Sequence, residues 1–191
     1  MMLYVVEHYR DIYSELKGKE LTDRLLVELL SRHCSPGAVP AAIRIERTGE
    51  GKPFVVWDEE IPSPHISVSH CDGVFACAVD DDNVGLDIQD ERDVDVERIG
   101  NRYFNEDEQK EDFYVIWTRK EAYSKFTGIG LSQVISGVTV LGRQDVNFEE
   151  FTILDNIHVS VCRPAPSAGE RGDYEIRFFD GKQNGSSRNR C

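Results

Sequence analysis

A lone carboxylate in an apolar strand, and an acid and an amine one helical turn apart downstream, are the residues of this sequence best suited to chemistry. The carboxylate is Asp87, in Val84-Gly85-Leu86-Asp87-Ile88-Gln89. The acid and the amine are Glu121 and Lys125, in Trp117-Thr118-Arg119-Lys120-Glu121-Ala122-Tyr123-Ser124-Lys125. Helical residues four apart share a face, about 6 Å from each other. A buried carboxylate needs a cation or several donors. Two carboxylates and a lysine together suit a divalent metal and a phosphate, the lysine as a point charge. Each has a plainer reading alone: Asp87 as a strand-end acid meeting water or an arginine, Glu121 and Lys125 as a surface ion pair worth roughly 0.3–0.5 kcal/mol. Lys120 is expected to point away from Glu121 and to offer a second phosphate donor. Ser69-His70 at a strand end could hydrogen-bond a phosphate or a nucleoside, or simply meet water. Lys52 follows Gly51, whose missing side chain lets a ligand approach the backbone.

The elements that must hold these residues are legible as patterns. Residues 3–9 read as a strand. Residues 23–33 read as a helix capped by Thr22, with Leu25, Leu26, Leu29 and Leu30 as its apolar stripe, ended by Ser35-Pro36-Gly37. Ile43 and Ile45 alternate with charges in a short strand. Gly49-Glu50-Gly51 is a turn, and Lys52-Pro53-Phe54-Val55-Val56-Trp57 runs out of it. The segments 66–69 and 74–79 pair across His70-Cys71-Asp72-Gly73. Asp80–Asn83 turns into the strand 84–89, and residues 95–103 are helical. Asn105-Glu106-Asp107-Glu108 reads as a capping box opening a helix over 106–127, stopped by Gly128 and Gly130. Phe113, Ile116, Trp117, Lys120 and Tyr123 line its inner side. Strands are expected near 134–141, 148–154, 157–162 and 174–179, and the polar tail 181–191 is expected to be disordered. The order strand, helix, strands occurs on both sides of about residue 81, a hint of two similar halves, 1–81 and 82–180, with a ligand pocket between them.

Composition narrows the function. The chain has 191 residues, 40% of them apolar, enough for a packed core. Lys plus Arg is 22 against 35 Asp plus Glu, a net charge of −13 that repels nucleic acid phosphates. The five cysteines form no Cys-x-x-Cys pair, which argues against a disulfide framework and a zinc site, and Cys77 and Cys162 read as small core residues. No apolar run approaches the roughly 20 residues of a membrane-spanning helix. The first residues lack a basic leader, so a cytoplasmic protein is expected.

Taken together, Gly51-Lys52-Pro53, Ser69-His70, Gly85-Leu86-Asp87 and Trp117-Thr118-Arg119-Lys120-Glu121-Ala122 with Lys125 resemble, in order, the signature of the 4'-phosphopantetheinyl transferase superfamily, surfactin-synthetase-activating type. The resemblance covers about residues 3–160. It implies an α+β fold of two similar α/β halves related by a pseudo-twofold, a monomer with coenzyme A in the cleft. It implies Mg²⁺-dependent transfer of phosphopantetheine from coenzyme A to a serine of an apo carrier protein (peptidyl, polyketide or acyl), releasing adenosine 3',5'-bisphosphate. Asp87 and Glu121 would hold the metal, Glu121 would deprotonate the serine, and Lys125 would neutralise the phosphate. Lys52, Ser69 and His70, with Arg24 and Arg44 at less specific basic positions, would grip the coenzyme. Two other readings remain open: a coenzyme A-binding protein without transfer, and a metal-dependent nuclease, the latter disfavoured by the charge.

Two departures stand out. Many relatives carry Glu two residues after the Asp, where this chain has Gln89, which strand periodicity puts on the same side as Asp87. A neutral carbonyl there predicts a weaker hold on the metal or one extra water. Asp87 and Glu121 are also only 34 residues apart, a short spacing that would thin the carrier-docking segment. That segment is acidic (Glu106, Asp107, Glu108, Glu111, Asp112), which favours a less acidic carrier docked through Tyr103, Phe104 and Phe113.

Overall fold

The computed structural model describes residues 1–33, 43–57, 62–165 and 173–180. The first sheet has the order β4-β5-β1-β9, from β1 (Met2–Glu7), β4 (His65–Cys71), β5 (Val74–Asp80) and β9 (Glu175–Asp180). β1 runs antiparallel to β5 and parallel to β9, and it stops at Glu7, short of the expected residue 9, where the one-turn helix α1 (Tyr9–Ile12) takes over. β9 thus lies in the second half of the sequence but completes the first sheet. The second sheet has the order β6-β8-β7, from β6 (Gly85–Asp90), β7 (Val146–Ile153) and β8 (Ile157–Pro164), all antiparallel. A separate ribbon pairs β2 (Ile43–Arg47) with β3 (Pro53–Trp57).

Side-chain alternation explains the layering. In β1, Tyr4 and Val6 join the core under helix α2 (Gly18–His33), while Leu3 and Val5 face the second sheet. β5 does the same, with Phe75, Cys77 and Val79 on the helix side and Ala76 and Ala78 on the other. Strands buried on both faces read as continuous apolar runs, as these do. In the second sheet Leu86, Ile88, Val159 and Val161 enter the core shared with the first. The opposite face of that sheet carries α4 (Phe113–Thr127) and α5 (Leu131–Gly137), packed through Ile116, Ala122, Val134 and Cys162.

Local chemistry sets the boundaries. The β4–β5 hairpin turns on Asp72 and Gly73 alone, with φ of 30° and 81°, and Cys71 pairs with Val74. His70 and Cys71 therefore belong to β4 and not to the turn. α2 starts at Gly18, a turn before the expected cap, and Thr22 lies inside it with its hydroxyl donating to the Lys19 carbonyl at 3.0 Å. Asp95 caps the short helix α3 (Val96–Tyr103), as its carboxylate accepts from the Arg98 amide.

The expected helix 106–127 is two elements. The capping box forms, since Asn105 Oδ1 accepts the Asp107 and Glu108 amides and Glu108 Oε2 accepts the Asn105 amide. It opens only a 3₁₀ turn, Glu108–Lys110. Asp112 then caps α4 afresh, accepting from the Tyr114 and Val115 amides. The expected strand 134–141 is instead α5 and an extended exit. Val134 and Ile135 are consecutive and both buried, which a strand of alternating faces would not do on one packed side. The expected terminator Ser35-Pro36-Gly37 and the tail 181–191 lie outside the described residues. No helix among the described residues is long and apolar enough to cross a membrane.

Candidate active site

The site forms where the edge strands of the two sheets meet beneath α4. β4 borders the first sheet and β6 the second. Two serines on one face of β4 bridge them: Ser67 Oγ accepts the Leu86 amide at 2.9 Å, and Ser69 Oγ donates to Asp87 Oδ1 at 2.8 Å. Gly85 sets the approach of the helix. A Cβ there would lie 2.0 Å from the Ala122 carbonyl oxygen and 2.7 Å from the Phe126 amide nitrogen. Only glycine lets α4 lie this close to β6. That contact brings Lys125, one turn below Glu121, to Asp87, with Nζ 2.7 Å from Oδ1.

The electrostatics follow from burial. The Asp87 side chain is 7% exposed and that of Lys125 28%, so this is a sheltered pair, not the surface pair that the helical spacing alone suggested. Lys125 turns to Asp87 across 38 residues of chain instead of to Glu121. Glu121 makes no hydrogen bond or ion pair within the described residues. Burial first, and the Asp87 charge second, push its carboxyl up to about 7, while Lys125 pulls the other way. Ser69 and Lys125 both bond Oδ1 of Asp87, and Oδ2 takes no hydrogen bond from the described residues.

These groups fit a magnesium ion. Two carboxylates share a partly dry site with one lysine, and hard oxygens are what Mg²⁺ prefers. Among the described residues no group of three or more His, Cys, Asp or Glu forms a closed cage. Mg²⁺ does not need one, because it commonly binds through one or two carboxylates plus phosphates and water. Gln89 lies on the same side of β6 as Asp87, with its amide nitrogen donating to the Asp90 carbonyl and carboxylate at 3.1 Å each, so Oε1 is the end left to face a ligand.

The remaining expected residues are spread around this centre. His70 is exposed at the end of β4, 6.1 Å from the Tyr9 ring. Partial burial, then the Lys125 and Arg10 charges, lower its pKa, so His70 and Lys125 share a neighbourhood. It borders a cavity of about 610 Å³ lined also by Tyr9, Arg10, Lys17, Lys19 and Leu21. Lys52 donates to Asn83 Oδ1 at 3.0 Å and to the Val84 carbonyl at 3.5 Å, at the foot of β6. Burial lowers its pKa. Arg24 stacks over Tyr13 on the outside of α2, 5.4 Å from the ring centroid, and Arg44 is exposed on β2.

One expectation is overturned. Lys120 is not a second phosphate donor. It is 1% exposed, and its amine bonds Glu108 Oε2 at 3.0 Å and the Val138 carbonyl at 2.6 Å. The cysteines behave as expected: Cys77 and Cys162 are 0% exposed, and burial pushes the Cys162 thiol up to about 12. Sequence reasoning missed the structural roles of Ser67 and Ser69. Their signal was present in the alternation Ser67-Val68-Ser69, two hydroxyls on one face of an edge strand.

Comparison with known proteins places this geometry in a family context. Residues 83–168, which contain Asp87, Gln89, Glu121 and Lys125, match the family model described as the 4'-phosphopantetheinyl transferase superfamily. The chain is 36% identical over 135 residues to 4'-phosphopantetheinyl transferase psf-1 of Bacillus pumilus, covering 63% of this chain and 56% of that protein. It is 31% identical over 134 residues to 4'-phosphopantetheinyl transferase gsp of Aneurinibacillus migulanus, covering 64% and 51%. It is 31% identical over 149 residues to 4'-phosphopantetheinyl transferase Sfp of Bacillus subtilis (strain 168), covering 72% and 62%. The chain thus spans about half to three fifths of the length of these relatives. It is similar to the surfactin-synthetase-activating type of this superfamily.

Proposed function

We propose that this chain transfers 4'-phosphopantetheine from coenzyme A to a serine of an apo carrier protein, releasing adenosine 3',5'-bisphosphate. The observation that carries the reading is the convergence of Asp87, Glu121 and Lys125, all inside the matched segment, on one sheltered site. Asp87, Glu121 and the carbonyl of Gln89 would hold magnesium, which when bound supplies charge neutralisation of the pyrophosphate. The serine oxygen attacks the β-phosphorus while its proton passes to the Glu121 carboxylate. The bond from that phosphorus to the bridging oxygen breaks, and the electron pair leaves with the adenosine bisphosphate. Lys125, held by Asp87, offsets the growing negative charge. Without the metal, burial holds the Glu121 carboxyl at about 7, and magnesium when bound would favour its ionised form, the form a base needs. Ser69 orients Asp87 through its hydroxyl. His70 and Lys52, with Arg24 and Arg44 farther out, would supply donors to the coenzyme.

The same reading takes the architecture as two similar α/β halves, 1–81 and 82–180, with β9 of the second returning to the sheet of the first, working as a cytoplasmic monomer. The two-half arrangement is supported by the matching placement of α2 outside the first sheet and α4 outside the second. The test is intact mass of an apo carrier after incubation with the protein, coenzyme A and Mg²⁺, with Glu121→Ala as control. A gain of one phosphopantetheine arm, absent in the control, is expected. Coenzyme A binding without any gain across acyl, peptidyl and polyketide carriers would replace transfer by simple binding.

A further inference from the structure

Resting on that reading, we infer that Glu108 and Lys120 form a positioning pair that pins α4 from its outer flank and so sets where Glu121 stands. Both residues are 1% exposed. Glu108 does three jobs at once: Oε1 accepts the Val140 amide at 2.9 Å, and Oε2 accepts the Asn105 amide at 3.1 Å and the Lys120 amine at 3.0 Å. Lys120 adds the Val138 carbonyl at 2.6 Å and lies 5.7 Å above the centroid of the Phe104 ring. One buried ion pair therefore ties together the turn before α4, the middle of α4 and the segment after α5.

Its place on the helix gives this consequence. The opposite flank of α4 is fixed by Gly85 against Ala122. Lys120, Glu121 and Ala122 are consecutive, so the residue between the two anchors is the proposed base. Among the described residues Glu121 itself has no hydrogen bond or ion pair to hold it. A helix held on one side can roll about that contact, and held on both it cannot. An ordinary buried ion pair is often replaceable by apolar residues of similar volume. This one is not, because its ions also satisfy the buried Val140 amide and the part-buried Asn105 amide and Val138 carbonyl, which apolar side chains would leave without these partners.

The test uses Glu108→Gln, Lys120→Met and the double variant Glu108→Leu/Lys120→Met, each in carrier modification assays and in calorimetry with coenzyme A. Glu108→Gln is nearly isosteric and keeps the fold assayable if the others do not. In all variants that fold, kcat is expected to fall at least tenfold while the stoichiometry of coenzyme A binding and its KM stay within twofold of wild type. The double variant is expected not to recover kcat. A fall in binding stoichiometry that matches the fall in kcat would reduce the pair to a purely structural role, as would wild-type kcat in a folded double variant. Absence of transfer by the wild-type protein would instead sink the transferase reading and is read separately.

Discussion

At the residue scale the central fact is that Glu121 is charged with difficulty. Its carboxyl titrates at about 7 in the folded protein against an ordinary 4.5, chiefly because burial penalises the anion and then because Asp87 is near. The sign of the stability effect follows. Below 4.5 both states are protonated and nothing is lost. Between 4.5 and about 7 the unfolded chain ionises Glu121 while the folded protein keeps its proton, so stability falls through that window and stays lower above it. Glu121→Gln is therefore expected to match wild type near pH 4 and to exceed it by about 1–2 kcal/mol near pH 8, after discounting for solvent screening at a partly exposed group. Denaturant unfolding at the two pH values, without divalent cations, measures it. Equal stability at both would mean that Glu121 is solvated. Asp87, Glu121 and Lys125 were picked out as candidates by residue type and spacing, but each alone had a plainer reading and only the family resemblance joined them. The partner of Lys125 was not legible, because periodicity relates neighbours on one helix and says nothing of a strand 38 residues away.

At the element scale the contact between β6 and α4 governs the site. A methyl group at Gly85 would overlap the backbone of α4, which is not the flexible end of a side chain and cannot step aside. Gly85→Ala is expected to cost about 3 kcal/mol or more, within the range for overpacking against rigid neighbours, and to weaken coenzyme-dependent transfer with it. Thermal unfolding checks this, and a loss under 1 kcal/mol would show that α4 slides freely over the sheet. The strands β1, β2, β5, β6, β7, β8 and β9 and the helix α3 were legible from sequence pattern, while the run out of the Gly49-Glu50-Gly51 turn was given no element and is β3. The break between the 3₁₀ turn and α4 was not legible, because two capping sequences, at Asn105 and at Asp112, lie within one continuous helical pattern. The helix α5 was hidden by its β-branched residues Val134 and Ile135, whose strand preference yields to the packing of Val134 in one cluster with Ile116 and Val140.

At the scale of the whole molecule, the proposed transfer makes net charge a filter on which carriers could approach. The net charge is −13, and Glu106, Asp107, Glu111 and Asp112 are exposed beside the start of α4. Glu108 must be struck from that acidic face, because it is buried against Lys120. Phe104 is 7% exposed and has little surface to offer a partner, which leaves the half-buried Tyr103 and Phe113 as the apolar contacts. Transfer to a strongly acidic carrier is expected to gain severalfold in kcat/KM as salt rises from about 20 mM to 150 mM, because screening shortens the reach of like-charge repulsion. A weakly charged carrier should show little change, and a fall in kcat/KM for the acidic carrier would show that a basic patch dominates the encounter. By itself the sequence determined the inventory of chemical groups, the period of most elements and the net field, because residue type, spacing and charge are properties of the chain read locally. Only the tertiary structure decided which lysine serves the site and which is locked away, which serine holds Asp87, and how closely α4 lies on β6. Those are matters of distance between segments far apart in sequence, fixed by packing and by the pairing of buried charges.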